Sequence, residues 1–223
     1  MAVVPLRDGT SGKSRLAGAL AGPDRAALVV ALARHVVATL VAADDVDRVL
    51  VVTADTDFAR TALSGVHGPG RVLEVVGQPT RAAGLDAAVD AGRARALRGA
   101  AAARLLVIHA DLAALTRDDV AALLAAGGGV TLAPDRAGTG TNALVLDPAG
   151  AGFTFRFGPG SGAAHRQEAV HRGLPVSVVR RPGTSVDLDT VGDWHALPAG
   201  VRARLAAQVP AMADLHPGTP AAP

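Results

Sequence analysis

Residues 104–112 read Arg-Leu-Leu-Val-Ile-His-Ala-Asp-Leu, and the rest of the chain is read outward from them. Leu105–Ile108 are apolar without alternation, which marks a strand covered on both faces. The run stops at His109-Ala110-Asp111, so an acid stands at the carboxyl end of a buried strand. Before it lies an alanine-rich segment with helical spacing, Thr80–Leu97. After it comes Thr116–Ala125, where Thr116 and Asp119 have the spacing of a capping box. Strands are expected at Ala2–Leu6, Arg48–Thr53, Val72–Val76, Arg104–His109, Val130–Ala133, Ala143–Leu146 and Val176–Val179, with a further helix over Asp24–Ala42. Buried strands alternating with helices predict a single-domain, three-layer α/β fold with a mostly parallel mixed sheet. Beyond about residue 127 strands follow one another more closely, and that half is expected to wall a substrate cleft at the strands' carboxyl ends.

The chain has 223 residues, enough for one domain, taken as 1–208. The proline- and alanine-rich stretch 209–223 is expected to be mobile or loosely docked. Without cysteine, disulfides, thiolate metal sites and cysteine nucleophiles are excluded. Lys and Arg total 22 against 20 Asp and Glu, so no nucleic-acid partner is indicated. An aromatic content of 2% argues against base-stacking platforms. No apolar run is long enough to cross a membrane, and charges at Arg7 and Asp8 come too early for a signal peptide. A cytoplasmic protein is expected.

Five segments carry chemistry. Pro5-Leu6-Arg7-Asp8-Gly9-Thr10-Ser11-Gly12-Lys13-Ser14-Arg15-Leu16 follows the first strand and holds the chain's only lysine, Lys13. Backbone amides of such a loop can cradle phosphate oxygens, and Lys13 and Arg15 can neutralise them. Gly12-Lys13-Ser14 matches the end of a Walker A loop, but Arg7 stands where its first glycine belongs. Asp111 is placed to hold Mg²⁺ beside phosphates, and the distant Asp187 supplies a second carboxylate. Asp189 is read as the N-cap of a helix starting near Val191. Asp135–Asn142 is a small-residue, hydroxyl-bearing loop between strands. Gly158-Pro159-Gly160-Ser161 opens a helix running to Gly173, a second anion site, behind a strand with Phe153, Phe155 and Phe157 on one core face. Two anion loops and two acidic sites point to two phosphorylated substrates meeting across Mg²⁺. His109 is read as packed behind the acid, and His165 as either an acceptor contact or a solvated helix residue. A P-loop kinase or NTPase built on GTSGKS, and a non-catalytic nucleotide-binding protein, are the competing readings.

Taken in order, PLRDGTSGKSRL, HADLAALTRDDV, APDRAGTGTNALVL, FRFGPGSGAAH and VDLDT resemble the 2-phospho-L-lactate / phosphoenolpyruvate guanylyltransferases (the CofC/FbiD family) of coenzyme F-420 biosynthesis, within the MobA-like nucleotidyltransferases. The resemblance spans about residues 2–195. It implies GMP transfer from GTP to the phosphate of phosphoenolpyruvate or 2-phospho-L-lactate, with Mg²⁺ as cofactor and a labile product handed to a following transferase. It places Leu6, Gly12, Lys13, Gly84 and Asp86 at the nucleotide, with Lys13, Arg15 and Asp111 in catalysis. It puts Asp111 and Asp187 on the metal, and Thr141, Gly158 and Ser161 on the acceptor acid. Asp86 stands where the family commonly has asparagine, and Ala113 where it commonly has proline.

Overall fold

The computed structural model describes residues 1–7, 13–79, 83–98, 104–147 and 152–216. One sheet of seven strands runs in the order β3-β2-β1-β4-β6-β5-β7. These are β1 Ala2–Pro5, β2 Arg48–Thr53, β3 Val72–Gly77, β4 Leu105–Ile108, β5 Val130–Pro134, β6 Thr141–Leu146 and β7 Val176–Val178. Only β6 runs against its neighbours, pairing antiparallel with both β4 and β5. The expected mixed, mostly parallel sheet is therefore observed, and its switch point lies between β1 and β4.

Helices cover both faces. They are α1 Gly22–Val41, α2 Thr56–Ala62, α3 Leu85–Leu97, α4 Arg117–Ala125, α5 Ser161–His171, α6 Pro182–Ser185, α7 Val191–Ala196 and α8 Ala199–Gln208. Alternate strand residues feed two cores. Val4, Val49, Val51, Leu106 and Ile108 pack with Val36, Val37, Leu40 and Leu123 of α1 and α4. Val3, Leu50, Val52, Leu105 and Val107 pack with Val89 of α3 and with Phe153 and Phe155. Helix α3 lies so close to the sheet that a Cβ on Gly92 would sit 2.5 Å from Val3 Cγ1, which is why that turn needs a glycine. The Thr116/Asp119 capping box forms as the spacing predicts.

Four expectations need correction. Helix α3 begins at Leu85, after Gly84 at φ 100°; of the expected start, residues 80–82 lie outside the described residues. Helix α2 went unread because seven residues are too few for a periodic pattern, although Asp55 caps it by accepting from Phe58 N–H. Phe153, Phe155 and Phe157 lie in irregular backbone rather than a strand. Most clearly, residues 209–216 of the expected tail are docked. Pro210–Asp214 forms a 3-10 helix, and Val209, Met212 and Leu215 are buried against Leu28, Leu32, Trp194 and Leu205. Those three apolar residues recur every third position, the period of a 3-10 helix, and so escape a search at 3.6. Residues 217–223 lie outside the described residues.

Candidate active site

A cavity of about 580 Å³ opens at the carboxyl ends of β1, β2, β3 and β4, where doubly wound sheets bind ligands. Leu6 continues β1 into it, held by its N–H donating to Val52 O at 2.8 Å. Gly84 lines the opposite wall, and Gln78, at the end of β3, donates to Gly84 O at 2.9 Å. Gln78 was not singled out from the sequence; its place just past a strand end was the available signal. Gly12 lies outside the described residues.

The floor is a charge cluster. Lys13 Nζ sits 2.6 Å from Asp111 Oδ2 and 2.8 Å from Asp189 Oδ1, with 7% of its side chain exposed. Lys13 holds a left-handed backbone at φ 57°, the only non-glycine to do so among the described residues. Arg15 is largely exposed, its Nη1 3.9 Å from Asp189 Oδ2. Asp189 thus belongs to the site and is not the expected helix cap. Thr190 caps α7 instead, in a capping box with Asp193. Its i+2 spacing from Asp187 was the signal, since both line the cavity.

Burial alone would raise the Asp111 carboxyl, but the Lys13 ammonium and the His109 ring outweigh it and hold the group below its usual range. Burial would likewise lower Lys13, and its two aspartates reverse that, holding it firmly charged. Asp187 moves the other way: burial first, then the Asp111 charge, push it up. Asp111 and Asp187 repel one another across the floor, and a cation held between them would relieve that repulsion. Asp111 Oδ1 is moreover buried without a partner among the described residues. The donors are oxygens, as a hard divalent cation prefers. Among the described residues no cluster of three or more His, Asp or Glu forms a complete metal cage.

The second anion region adjoins the first without lining the cavity. A bulge in the β5–β6 ladder, between Ala133 and Pro134, turns the start of β6. Asn142 then donates to Thr184 O at 3.0 Å and to Asp187 Oδ1 at 3.3 Å, while Thr141 meets His165 at 3.0 Å. Gly162 N–H donates to Thr139 O at 2.9 Å, so α5 starts against the 135–140 turn. Thr141 and Ser161 are buried, and Gly158 is exposed at φ 115°. His109 lies between the two regions. It lines the cavity, its ring centroid is 5.5 Å from that of Phe157, and its Nε2 is buried without a partner among the described residues. Asp86 does not line the cavity. Its Oδ1 accepts from Phe157 N–H at 2.8 Å, tying α3 to the second region. His165 is fully buried rather than solvated.

After Lys13 the chain makes one 3-10 turn, Ser14–Leu16, and α1 starts only at Gly22. A P-loop lysine opens a long helix directly, so the kinase reading is not favoured.

The comparisons with known proteins agree with this architecture. Residues 1–197 match the family described as guanylyl transferase CofC like. A phosphoenolpyruvate guanylyltransferase of Rubrobacter xylanophilus is 42% identical over 201 residues, covering 89% of this chain and 93% of the relative. Another, of Sphaerobacter thermophilus, is 40% identical over 199 residues, covering 88% and 91%. A 3-phospho-D-glycerate guanylyltransferase of Phenylobacterium zucineum is 34% identical over 212 residues, covering 93% and 94%. A crystal structure from Desulfovibrio desulfuricans G20, described as a candidate nucleotide-diphospho-sugar transferase, superposes with TM-score 0.70 at 13% identity, covering 95% of this chain and 91% of that one, a likeness of fold. With residues 1–197 matched to the family and a relative of that activity 42% identical over most of both chains, the chain belongs to the CofC-like guanylyl transferases.

Proposed function

We propose that this protein transfers GMP from GTP to the phosphate of a small phosphorylated acid, phosphoenolpyruvate first among the candidates, as a step of coenzyme F-420 biosynthesis. The observation that carries the reading is the charged floor at the sheet's switch point, with a second anion region of glycine and hydroxyl residues beside it. The names of the most similar relatives support the same acceptor.

In this reading, Leu6, Gly12 and Gly84 shape the nucleotide end of the cavity. Lys13 and Arg15 hold the phosphates, and Lys13 exchanges an aspartate for phosphate oxygens as GTP enters. Asp111 and Asp187 would hold Mg²⁺, which would neutralise charge on the α-phosphate and the leaving group. Asp86 fixes the second region through Phe157 rather than touching the nucleotide. Thr141, Gly158 and Ser161 hold the acceptor, so that its phosphate oxygen lies in line with the α-phosphorus. That oxygen forms the new P–O bond, the bond from the α-phosphorus to the bridging oxygen breaks, and pyrophosphate leaves with the electron pair. The attacking oxygen is already anionic at neutral pH, so the residues need only align the partners and balance charge. The reaction places the protein where GTP is made and used, in the cytoplasm, and the labile diphosphate product passes to a following transferase.

The test is a competition among phosphoenolpyruvate, 2-phospho-L-lactate and 3-phospho-D-glycerate, with GTP and Mg²⁺, read by product mass and pyrophosphate release. The guanylylated enolpyruvyl product should predominate. Absence of pyrophosphate release with any of the three acids overturns the reading.

A further inference from the structure

Helix α5 buries one histidine completely, and both of its ring nitrogens are committed. Nε2 lies 3.0 Å from the backbone nitrogen of Arg156, which can only donate. Nδ1 lies 3.0 Å from Thr141 Oγ1. A ring nitrogen that accepts cannot carry a proton, so His165 is neither an imidazolium nor the Nε2–H tautomer. Its one proton is on Nδ1, and the Thr141 hydroxyl must accept it. The surroundings favour the neutral ring: burial, then the neighbouring His109, lower its pKa to about 4. The Phe157 ring packs edge-on against it with centroids 4.8 Å apart, and Phe153 packs at 5.9 Å.

A hydroxyl has one proton and two lone pairs. With one lone pair taken by His165, Thr141 keeps its proton to give, and among the described residues no acceptor takes it. We infer that His165 is a positioning residue of the acceptor site: by donating from Nδ1 it makes the Thr141 hydroxyl an obligate donor, reserved for an anionic oxygen of the acceptor acid. This rests on the reading above that Thr141 holds the acceptor. A hydroxyl free to rotate could serve a donor or an acceptor equally. One fixed in this way selects for carboxylate or phosphate oxygens and disfavours an analogue that presents an N–H or O–H there.

Two substitutions separate this role from packing. His165→Gln places an acceptor near Nε2 and nothing near Thr141. His165→Asn places an amide near Nδ1 and nothing near Arg156. Each removes one of the two hydrogen bonds. His165→Gln should raise the KM for phosphoenolpyruvate about fivefold, because the Thr141 hydroxyl is no longer held as a donor, with the KM for GTP unchanged. His165→Asn should lose similar thermal stability while its acceptor KM stays within about twofold of wild type. Thr141→Val removes the donor itself and should raise that KM about tenfold, and adding His165→Gln to it should raise the KM no further. In the ¹⁵N-labelled wild-type protein, long-range ¹H–¹⁵N correlation should show His165 with its proton on Nδ1 at pH 7. Equal acceptor KM in the two His165 variants, or a proton on Nε2, overturns the inference. Failure of the reading beneath it looks different. The wild-type enzyme would then release no pyrophosphate with any of the acids, and the inferred role would fall with it even where the tautomer is as stated.

Discussion

The two halves of the site hold their functional groups by different physics. On the nucleotide side, Lys13, Asp111 and Asp189 are fixed by mutual charge at the cavity surface. On the proposed acceptor side, Thr141, His165, Asp86 and Phe157 are fixed by hydrogen bonds among themselves and by packed rings. Groups held by charge can trade one charged partner for another, so incoming phosphates can displace an aspartate from Lys13. Groups held by buried hydrogen bonds have no such exchange open to them, because an unmet bond costs the full desolvation of the group left behind. On the proposed reading, the nucleotide half is thus arranged to respond to its ligand, and the acceptor half to be ready before its ligand arrives.

The strongest way to break this contrast is at Asp111. Asp111→Asn removes charge from both Lys13 and the proposed Mg²⁺ site. It should lower kcat for pyrophosphate release about 10³-fold, with the far-ultraviolet circular dichroism spectrum unchanged. A loss of only a fewfold would show that charge does not organise this half. Next comes Lys13→Arg, which keeps the charge but places a broad guanidinium where a compact ammonium fits between two carboxylates. A fall of about 10² in kcat with the fold intact is expected, and wild-type turnover would remove Lys13 from the chemistry.

Asp86 tests the other half. Asp86→Ala frees the Phe157 N–H and should raise the acceptor KM about tenfold, whereas Asp86→Asn keeps an oxygen to accept it and should restore most of the loss. If Asp86→Asn shifts the KM for GTP instead, Asp86 belongs to the nucleotide half after all.

The smallest effect sharpens the contrast through pH. Burial, opposed only partly by its bond to Leu115 O, lowers His35 to about 4, and His165 is lowered to a similar value. Unfolded, each would titrate near 6.5, so between about pH 6.5 and 4 the unfolded chain binds more protons. Stability therefore falls as pH drops through that window, by on the order of 1 kcal/mol per histidine at pH 5. Asp111 is lowered as well, so its contribution is also lost as pH falls, but only through and below the ordinary carboxylate range. Thermal melts at pH 7 and pH 5 should differ by several degrees in wild type and by about 3 °C less in His165→Gln.

Much of the fold was legible because buried strands and alternating helices leave strong periodic traces. Arg48–Thr53 and the Thr116 capping box were read residue for residue. What escaped was short or had another period: α2, with seven residues, and the 3-10 helix at Pro210–Asp214. Asp111, Lys13 and Leu6 line the cavity because they follow strands or a glycine-rich loop, a placement legible in the sequence, and Asp187 lines it from the extended segment after α6. Asp189 was misread because an acid near a helix start is usually a cap, and only the three-dimensional approach of Lys13 distinguishes the two roles. His165 was illegible for a similar reason. Helical spacing places a residue on a face, but what covers that face, here Thr141, Phe153 and Phe157, comes from other parts of the chain.

The reversal of β6 has a consequence for how such enzymes diversify. Each parallel strand reaches the rim once, and its chain must then cross the sheet's whole height before the next begins. The β5–β6 hairpin instead turns at the rim itself, through residues 135–140, so that turn can lengthen, shorten or change composition without rerouting any crossover. With the acceptor held beside this turn as proposed, a lineage could revise which acid it accepts within a few codons while the GTP end stays as it is. Relatives named for two different acids, at 42% and 34% identity to this chain, are what such local revision would leave behind.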